Sequence, residues 1–403
     1  MRTLIIALLI FLPVLSHAAT KLSKRQLSHN QTEATEIRFS HPGYYGAFDP
    51  SVEGDPRNPN WVWMAYSSGE ENLPPHDDAD SSTIVLRLAK SEDGGRSFVD
   101  QMELSPRMQQ RIMIPGGIPA IWHYEVPSLV RDDQAPADER WKVFAMRYLK
   151  INRRHCNPAT QPCDNGRFYS HSWIAYRSAP EPEGPWSPEK KFLSGSVYNE
   201  SNTLVDTLSP LMSAPLLRHT MSTALQNCAA FTEPAAVSTT HGLYIAFTCA
   251  TGNADTDRII TLKRDQNGQW YYRGVLFDAE KARSIGLPSM DAADLFAFSG
   301  KIYLSLSAHL PGHLYQGCHV FEVTNLSTSQ LRMVGETQPA VVSRIPSLGA
   351  HLNGGCTYDR QSGAMGMYIF ERLPTLQTQP FLKIWATEQS PWGHHLVFPA
   401  SAQ

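Results

Sequence analysis

The chain has 403 residues, 42% of them hydrophobic and 10% aromatic, with 35 Lys and Arg against 38 Asp and Glu for a formal net charge of −3. That is enough apolar material for one large core. A near-balanced charge without a basic stripe argues against nucleic acid as a partner, and no stop-transfer helix points to an integral membrane role.

At the start, Arg2 precedes an apolar run from Leu4 to Leu15, followed by the small residues Ser16 and Ala18. This pattern predicts a secretory signal peptide over residues 1–18, cleaved after Ala18, and a secreted or periplasmic mature protein. The run falls short of the roughly 20 residues of a spanning helix, and an uncleaved anchor is the alternative. Residues 19–37 are polar and form a lead-in that is either flexible or supplies a strand to close a ring.

From residue 38 to 403 helix periodicity is scarce and short strands recur in fives. First strands open at Asp49, Glu125, Glu233, Asp291 and Leu352. Second strands, aromatic or β-branched, run from Trp61, Trp141, Leu243, Ile302 and Met365, and third strands from Ile84, Trp173, Ile259, His319 and Phe381. The repeat predicts a single all-β domain, a five-bladed β-propeller of four-stranded antiparallel blades, with a β-sandwich as the alternative. Between the third and fourth strands of the first unit, Ser91 to Phe98 resembles the Asp-box turn of sialidases and other propellers. There an aspartate accepts amides, glycine takes positive φ and an aromatic packs between blades.

Six cysteines in an exported chain predict disulfides rather than metal ligands. Cys156 and Cys163 are close enough to staple one loop, Cys228 and Cys249 flank the first two strands of the third unit, and Cys318 and Cys356 lie in the fourth and fifth. Spacing leaves the connectivity open. The absence of CxxC and HExxH patterns argues against zinc.

Propeller geometry gathers the long loops on one face, the face where the first strands begin. Asp49, Glu125 and Glu233 fall there, at the channel mouth. Such a set fits hydrolysis of a glycosidic bond, in which one carboxylate activates water or attacks while another protonates the leaving oxygen. Close carboxylates also raise one another's pKa. The same loops carry Tyr45, Trp122, Tyr124, Arg218, His219, His309 and His351, aromatics and cations suited to a carbohydrate, an anionic glycan among the options.

The order Asp49-Pro50, an acidic residue ahead of the second first-strand, and Glu233-Pro234 resembles the five-bladed propeller glycoside hydrolases of family 43 and its relatives. The resemblance implies that Asp49 is the general base, Glu125 the residue that orients and tunes the acid, and Glu233 the general acid. Gly184-Pro185-Trp186 and His351 are further echoes; in the family a histidine in the latter region sits at the channel centre, often near a bound ion or water. No cofactor is required on this reading, and a channel-bound calcium or other ion is an option. Blade two carries Glu125 where the family has aspartate, and blade three lacks the glycine of E-G-P; Asp291 and Asp294 of blade four are alternative acidic candidates, and Asp294 is also placed among the substrate-binding residues. A non-catalytic glycan- or protein-binding propeller and a sialidase-like exoglycosidase stand as the other functional readings.

Overall fold

A computed structural model describes residues 34–71, 82–105, 111–114, 118–151, 172–194, 228, 230–251, 257–310, 314–345, 352–358, 365–372 and 382–388. The predicted signal peptide, most of the lead-in, Cys156, Cys163, Arg218, His219 and His351 lie outside them.

The described residues form five antiparallel blades. In order from inner to outer strand, blade one is Gly46–Gly54, Val62–Glu71, Ser82–Ser91 and Ser97–Glu103. Blade two is Ile118–Arg131, Trp141–Ile151, Ser172–Ala179 and Lys190–Ser194, and blade three is Ala230–Thr239, Gly242–Ala250, Arg258–Arg264 and Trp270–Asp278. Blade four runs Ser289–Phe298, Lys301–Leu310, Leu314–Asn325 and Val341–Ile345. Blade five has Leu352–Tyr358, Met365–Arg372 and Leu382–Glu388, and takes its outermost strand from the other end of the chain: Ala34–Glu36 pairs antiparallel with Leu382–Glu388. The lead-in therefore supplies the strand that the sequence left as one of two options. An exposed edge of Leu382–Glu388 would be a site for pairing with another chain, and this strand covers it.

Burial explains why the inner strands lack the simple alternation of a half-buried sheet. Blades are stacked face to face, so an inner strand packs on both sides, and Gly46–Gly54 is buried throughout except at Asp49. Five hydrophobic cores result, each between two successive blades. Trp63 and Leu88 of blade one meet Trp141 and Val143 of blade two; Phe144 meets Phe247 of blade three; Tyr244 lies with Leu304 of blade four; Val320 with Met367 of blade five. The fifth core returns to the start, bringing Tyr368 and Ile384 of blade five against Phe48 and Met64 of blade one. Each core is the kind of large aromatic and aliphatic burial that dominates folding, at roughly 25 cal/mol per Å² of apolar surface removed from water.

Covalent and polar ties reinforce these seams. Disulfides join Cys228 to Cys249 within blade three and Cys318 to Cys356 between blades four and five. Arg57 of blade one pairs with Asp55 and reaches Glu183 of blade two at 2.9 Å. The buried Asp132 of blade two pairs with Lys142 at 3.4 Å and with Arg264 of blade three at 3.3 Å. In the Ser91–Phe98 turn, Asp93 accepts the amides of Arg96 and Ser97, each at 3.0 Å, and Gly94 and Gly95 have φ of 73° and 87°. Phe98 is buried beside Tyr368 of blade five, whose hydroxyl donates to the Gly95 carbonyl at 3.2 Å.

Candidate active site

Every inner strand breaks register at the same place. The shift falls between Phe48 and Ser51, Glu125 and Ser128, Thr232 and Ala235, Asp291 and Asp294, and Gly354 and Thr357. At each break the first extra residue lies in the left-handed region: Asp49 at φ 47°, Val126 at 50°, Glu233 at 53°, Ala292 at 50° and Gly355 at 56°. Only the glycine adopts that conformation freely; for the other four it costs roughly 1–2 kcal/mol each. In blades one to three the next residue is proline, Pro50, Pro127 and Pro234. A bulge leaves an amide out of the ladder, so a residue without an N–H suits it.

This alignment revises the equivalence expected from the sequence. Asp49 and Glu233 occupy matching bulge positions, whereas Glu125 sits one residue earlier, in the position that Asp291 holds in blade four. The acidic groups therefore form two pairs built alike, each with a bulge carboxylate in one blade and a carboxylate just ahead of the bulge in the next. Asp49 with Glu125 is the first pair and Glu233 with Asp291 the second.

Hydrogen bonding repeats with the pairing. On the second strand, the residue opposite the pre-bulge position is Ser67 in blade one and Thr248 in blade three. The Ser67 hydroxyl lies 3.5 Å from Asp49 Oδ2 and accepts the Val126 amide at 3.1 Å. Thr248 Oγ1 lies 3.4 Å from Glu233 Oε2 and 3.1 Å from Asp291 Oδ1. The Ala292 amide donates to Glu233 Oε2 at 2.6 Å. In blade four Ser307 fills the same place and accepts the Gly355 amide at 2.9 Å. Glu233 thus takes with its own carboxylate an amide whose counterparts reach a serine hydroxyl at the two comparable seams, the Val126 amide also bonding Asp49.

Glu233 is buried, and Asp49, Glu125 and Asp291 are half-buried. Burial raises the Asp49 carboxyl well above the usual range, with the charges of Glu125 and Asp291 adding to the effect. Burial likewise pushes Asp291 up to about 7. Tyr315, from the third strand of blade four, completes the group, its hydroxyl 3.5 Å from Glu233 Oε1. Its phenol is held above the ordinary value by burial and by Asp291, Asp49 and Glu125. Asp49 and Asp291 thus hold their protons more readily than free carboxyls do, in the same group as Glu125 and Glu233.

The other predicted residues divide. Tyr45 remains at the start of blade one, half-buried, with its ring 4.8 Å from that of Tyr44. Trp122 and Tyr124 do not reach the site. They are 4% and 3% exposed and belong to the core between blades one and two. They alternate with His123 and Glu125 along the strand and so point the other way. There they close over Arg147, whose guanidinium lies 4.4 Å from the Trp122 ring and pairs with Glu189 at 2.6 Å. Asp294, beyond the bulge, lines a separate small pocket with Glu53, Ser51 and Thr357. It bonds to Thr357 and to the Tyr358 amide, and burial raises it to about 7. Ser51 and Ser128 accept the Leu129 and Ala236 amides of their next blades at 2.9 and 2.7 Å, so Asp294 is the blade-four form of a seam contact. His309 ends a strand, opposite Ser289, and its side chain lies outside the described residues.

Among the described residues no group of three or more His, Cys, Asp or Glu is placed to hold a metal ion. No described helix is long and apolar enough to cross a membrane. Thr248 and Tyr315 carried no signal in the sequence; aligning blades one to three on Pro50, Pro127 and Pro234 would have put Glu125 one residue ahead of the positions of Asp49 and Glu233.

No family model matches the chain, and no curated protein matches it. Among solved structures it is similar to a family 117 glycoside hydrolase from Zobellia galactanivorans, at 10% identity over 89% of this chain and 90% of that one, with a TM-score of 0.49. It is also similar to an arabinanase from Bacillus subtilis, at 13% identity over 86% and 96% of the two chains, TM-score 0.45. A family 43 endo-arabinanase from Bacillus licheniformis matches at 12% identity over 85% and 93%, TM-score 0.44.

Proposed function

We propose that this protein is a secreted or periplasmic glycoside hydrolase that cleaves a glycosidic bond at the channel mouth, with water as the acceptor. The observation that carries the reading is the repeated carboxylate pair. Two bulge carboxylates held at a conformational cost, each backed by a second carboxylate from the next blade, supply both an ionised and a protonated carboxyl within one mouth. That is the requirement of acid–base glycoside cleavage.

Asp49 and Glu233 are the working carboxylates of this proposal. Glu233 serves as the acid through Oε1, since Oε2 is engaged by the Ala292 amide; Asp49 serves in its ionised form as the base that takes the proton of the attacking water. The described lining offers carboxyls and a phenol, which suits a neutral sugar. An anionic substrate would depend on Arg218 and His219, outside the described residues.

The test is turnover of a panel of aryl glycosides and neutral and anionic glycans by the oxidised protein, beside Asp49→Asn and Glu233→Gln. Both variants are expected to fold and to lose roughly 10²–10⁴-fold in kcat/KM. Azide should rescue the variant lacking the base, while the variant lacking the acid should keep its best activity on substrates with activated leaving groups. Glycan binding without turnover by the wild-type protein would move the propeller to the recognition class.

A further inference from the structure

The Thr248 hydroxyl has one hydrogen and two carboxylate neighbours, Asp291 Oδ1 at 3.1 Å and Glu233 Oε2 at 3.4 Å. It can donate to one, and it can accept from the other only if that other is protonated. Two arrangements satisfy it. With Asp291 ionised, the hydroxyl hydrogen points to Asp291, Glu233 loses that donor, and a negative charge stands beside it; both changes favour a protonated Glu233. With a proton on Asp291 Oδ1, that proton points to Thr248, whose own hydrogen turns to Glu233 Oε2 and joins the Ala292 amide there; both contacts favour an ionised Glu233. One proton more or less on Asp291 therefore reverses the preference of its neighbour.

We propose that Asp291 is a positioning residue for Glu233, deciding through the Thr248 hydroxyl whether that carboxyl holds its proton. The proposal rests on the reading of Glu233 as the acid, and it differs from the expectation drawn from resemblance, which gives the tuning role to Glu125. Glu125 acts first on Asp49, where its charge is the largest electrostatic influence after burial itself. Asp291 shares the Thr248 hydroxyl with Glu233. The titratable groups that face Asp291 are Glu233 from the inner strand of blade three, Tyr315 from the third strand of blade four and Asp49 from the inner strand of blade one. Glu125 shares Asp49 and Tyr315 with it as neighbours. Burial that brings Asp291 to about 7 lets it change state near neutrality, where the coupling is useful.

The experiment follows the Glu233 carboxyl carbon by ¹³C NMR in protein labelled at glutamate, using Glu233→Gln to assign the signal. No substrate is needed, so failure of the hydrolase reading would leave this measurement intact. In Asp291→Asn the amide donates to Thr248 permanently, the hydroxyl is turned to Glu233, and the Glu233 midpoint is expected to fall by about one pH unit. In Thr248→Val the hydroxyl is lost while the Asp291 charge stays, and the midpoint is expected to rise. If both variants titrate like the wild type, or move in the same direction, the proposal is overturned. Should Asp291→Asn fail to fold, an unchanged or lowered midpoint in Thr248→Val alone is sufficient to reject it. Where a substrate is found, the alkaline limb of kcat/KM should move with the NMR midpoint.

Discussion

Asp291 and Glu233 come from different blades and are joined by the hydroxyl of Thr248, within 3.1 and 3.4 Å of the two carboxylates. The link exists because the register of each inner strand breaks one residue after the position Asp291 holds. It brings the bulge carboxylate of one blade beside the pre-bulge carboxylate of the next. The same break brings Asp49 near Glu125, where Ser67 reaches Asp49 and the Val126 amide, so the site is a repeat of the fold's own repeat.

Raised carboxyls make stability depend on pH in a defined direction. Asp294 is held near 7 in the folded protein, against about 3.9 for an unfolded aspartate. Between those values the folded state binds the extra proton, so its contribution is complete below the unfolded value and is lost as pH rises through the folded one. Melting temperature measured from about pH 4 to pH 8 should therefore fall more steeply in the wild type than in Asp294→Asn, which keeps the acceptor but cannot ionise. Equal slopes would show that the carboxyl is not held up.

The cage around Arg147 predicts a separation between stability and function. Trp122→Ala should cost about 3–5 kcal/mol, read by denaturant unfolding, because it empties the core between blades one and two and uncovers the guanidinium. KM of the surviving folded fraction should be unchanged. Tyr45→Phe or Tyr45→Ala, at the mouth, should do the opposite, altering KM with little change in unfolding midpoint.

Disulfide removal should be graded by loop length. The Cys318–Cys356 bridge closes a separation of 38 residues and Cys228–Cys249 one of 21. Chain-entropy arguments give losses of about 4 and about 3 kcal/mol for paired alanine replacements. The larger loss should also loosen the seam between blades four and five, seen as faster amide exchange at Val320 and Ile369. A greater effect from the Cys228 pair would contradict this ordering.

How much of this was readable in the sequence follows from what kind of signal each feature leaves. The strands of all five blades stood out, because burial on both faces selects aromatic and β-branched residues over several positions. Asp49 and Glu233 drew attention because each precedes a proline that the bulge favours. Glu125 was placed one residue off, since the acidic residues were aligned with one another rather than the prolines; aligned on Pro127, Val126 takes the bulge position. Trp122 and Tyr124 misled because an aromatic beside a loop can face a sugar or a neighbouring blade, and strand alternation decides between them. Thr248 and Tyr315 could not be seen, being ordinary strand residues whose importance arises from what lies across a seam.

Deleting residues through Phe39 should expose the edge of Leu382–Glu388 and remove Ile37 from the core it shares with Ile384. A lower melting temperature and a tendency to associate are expected, measured by calorimetry and light scattering. A monomer with unchanged melting would mean that blade five holds without its borrowed strand.

That borrowed strand also sets a schedule. Glu36 and Lys383, 347 positions apart, meet at 2.9 Å across the last seam. A ribosome makes Glu36 long before Lys383, so blade five cannot be completed until the 347 positions between them have been synthesised. Until then the first strand waits unpartnered and the early blades lack the neighbour that covers Phe48 and Tyr66. A contact this distant in sequence is slow to form, and the interval before it forms is when the chain is most exposed to proteases and to strands of other molecules.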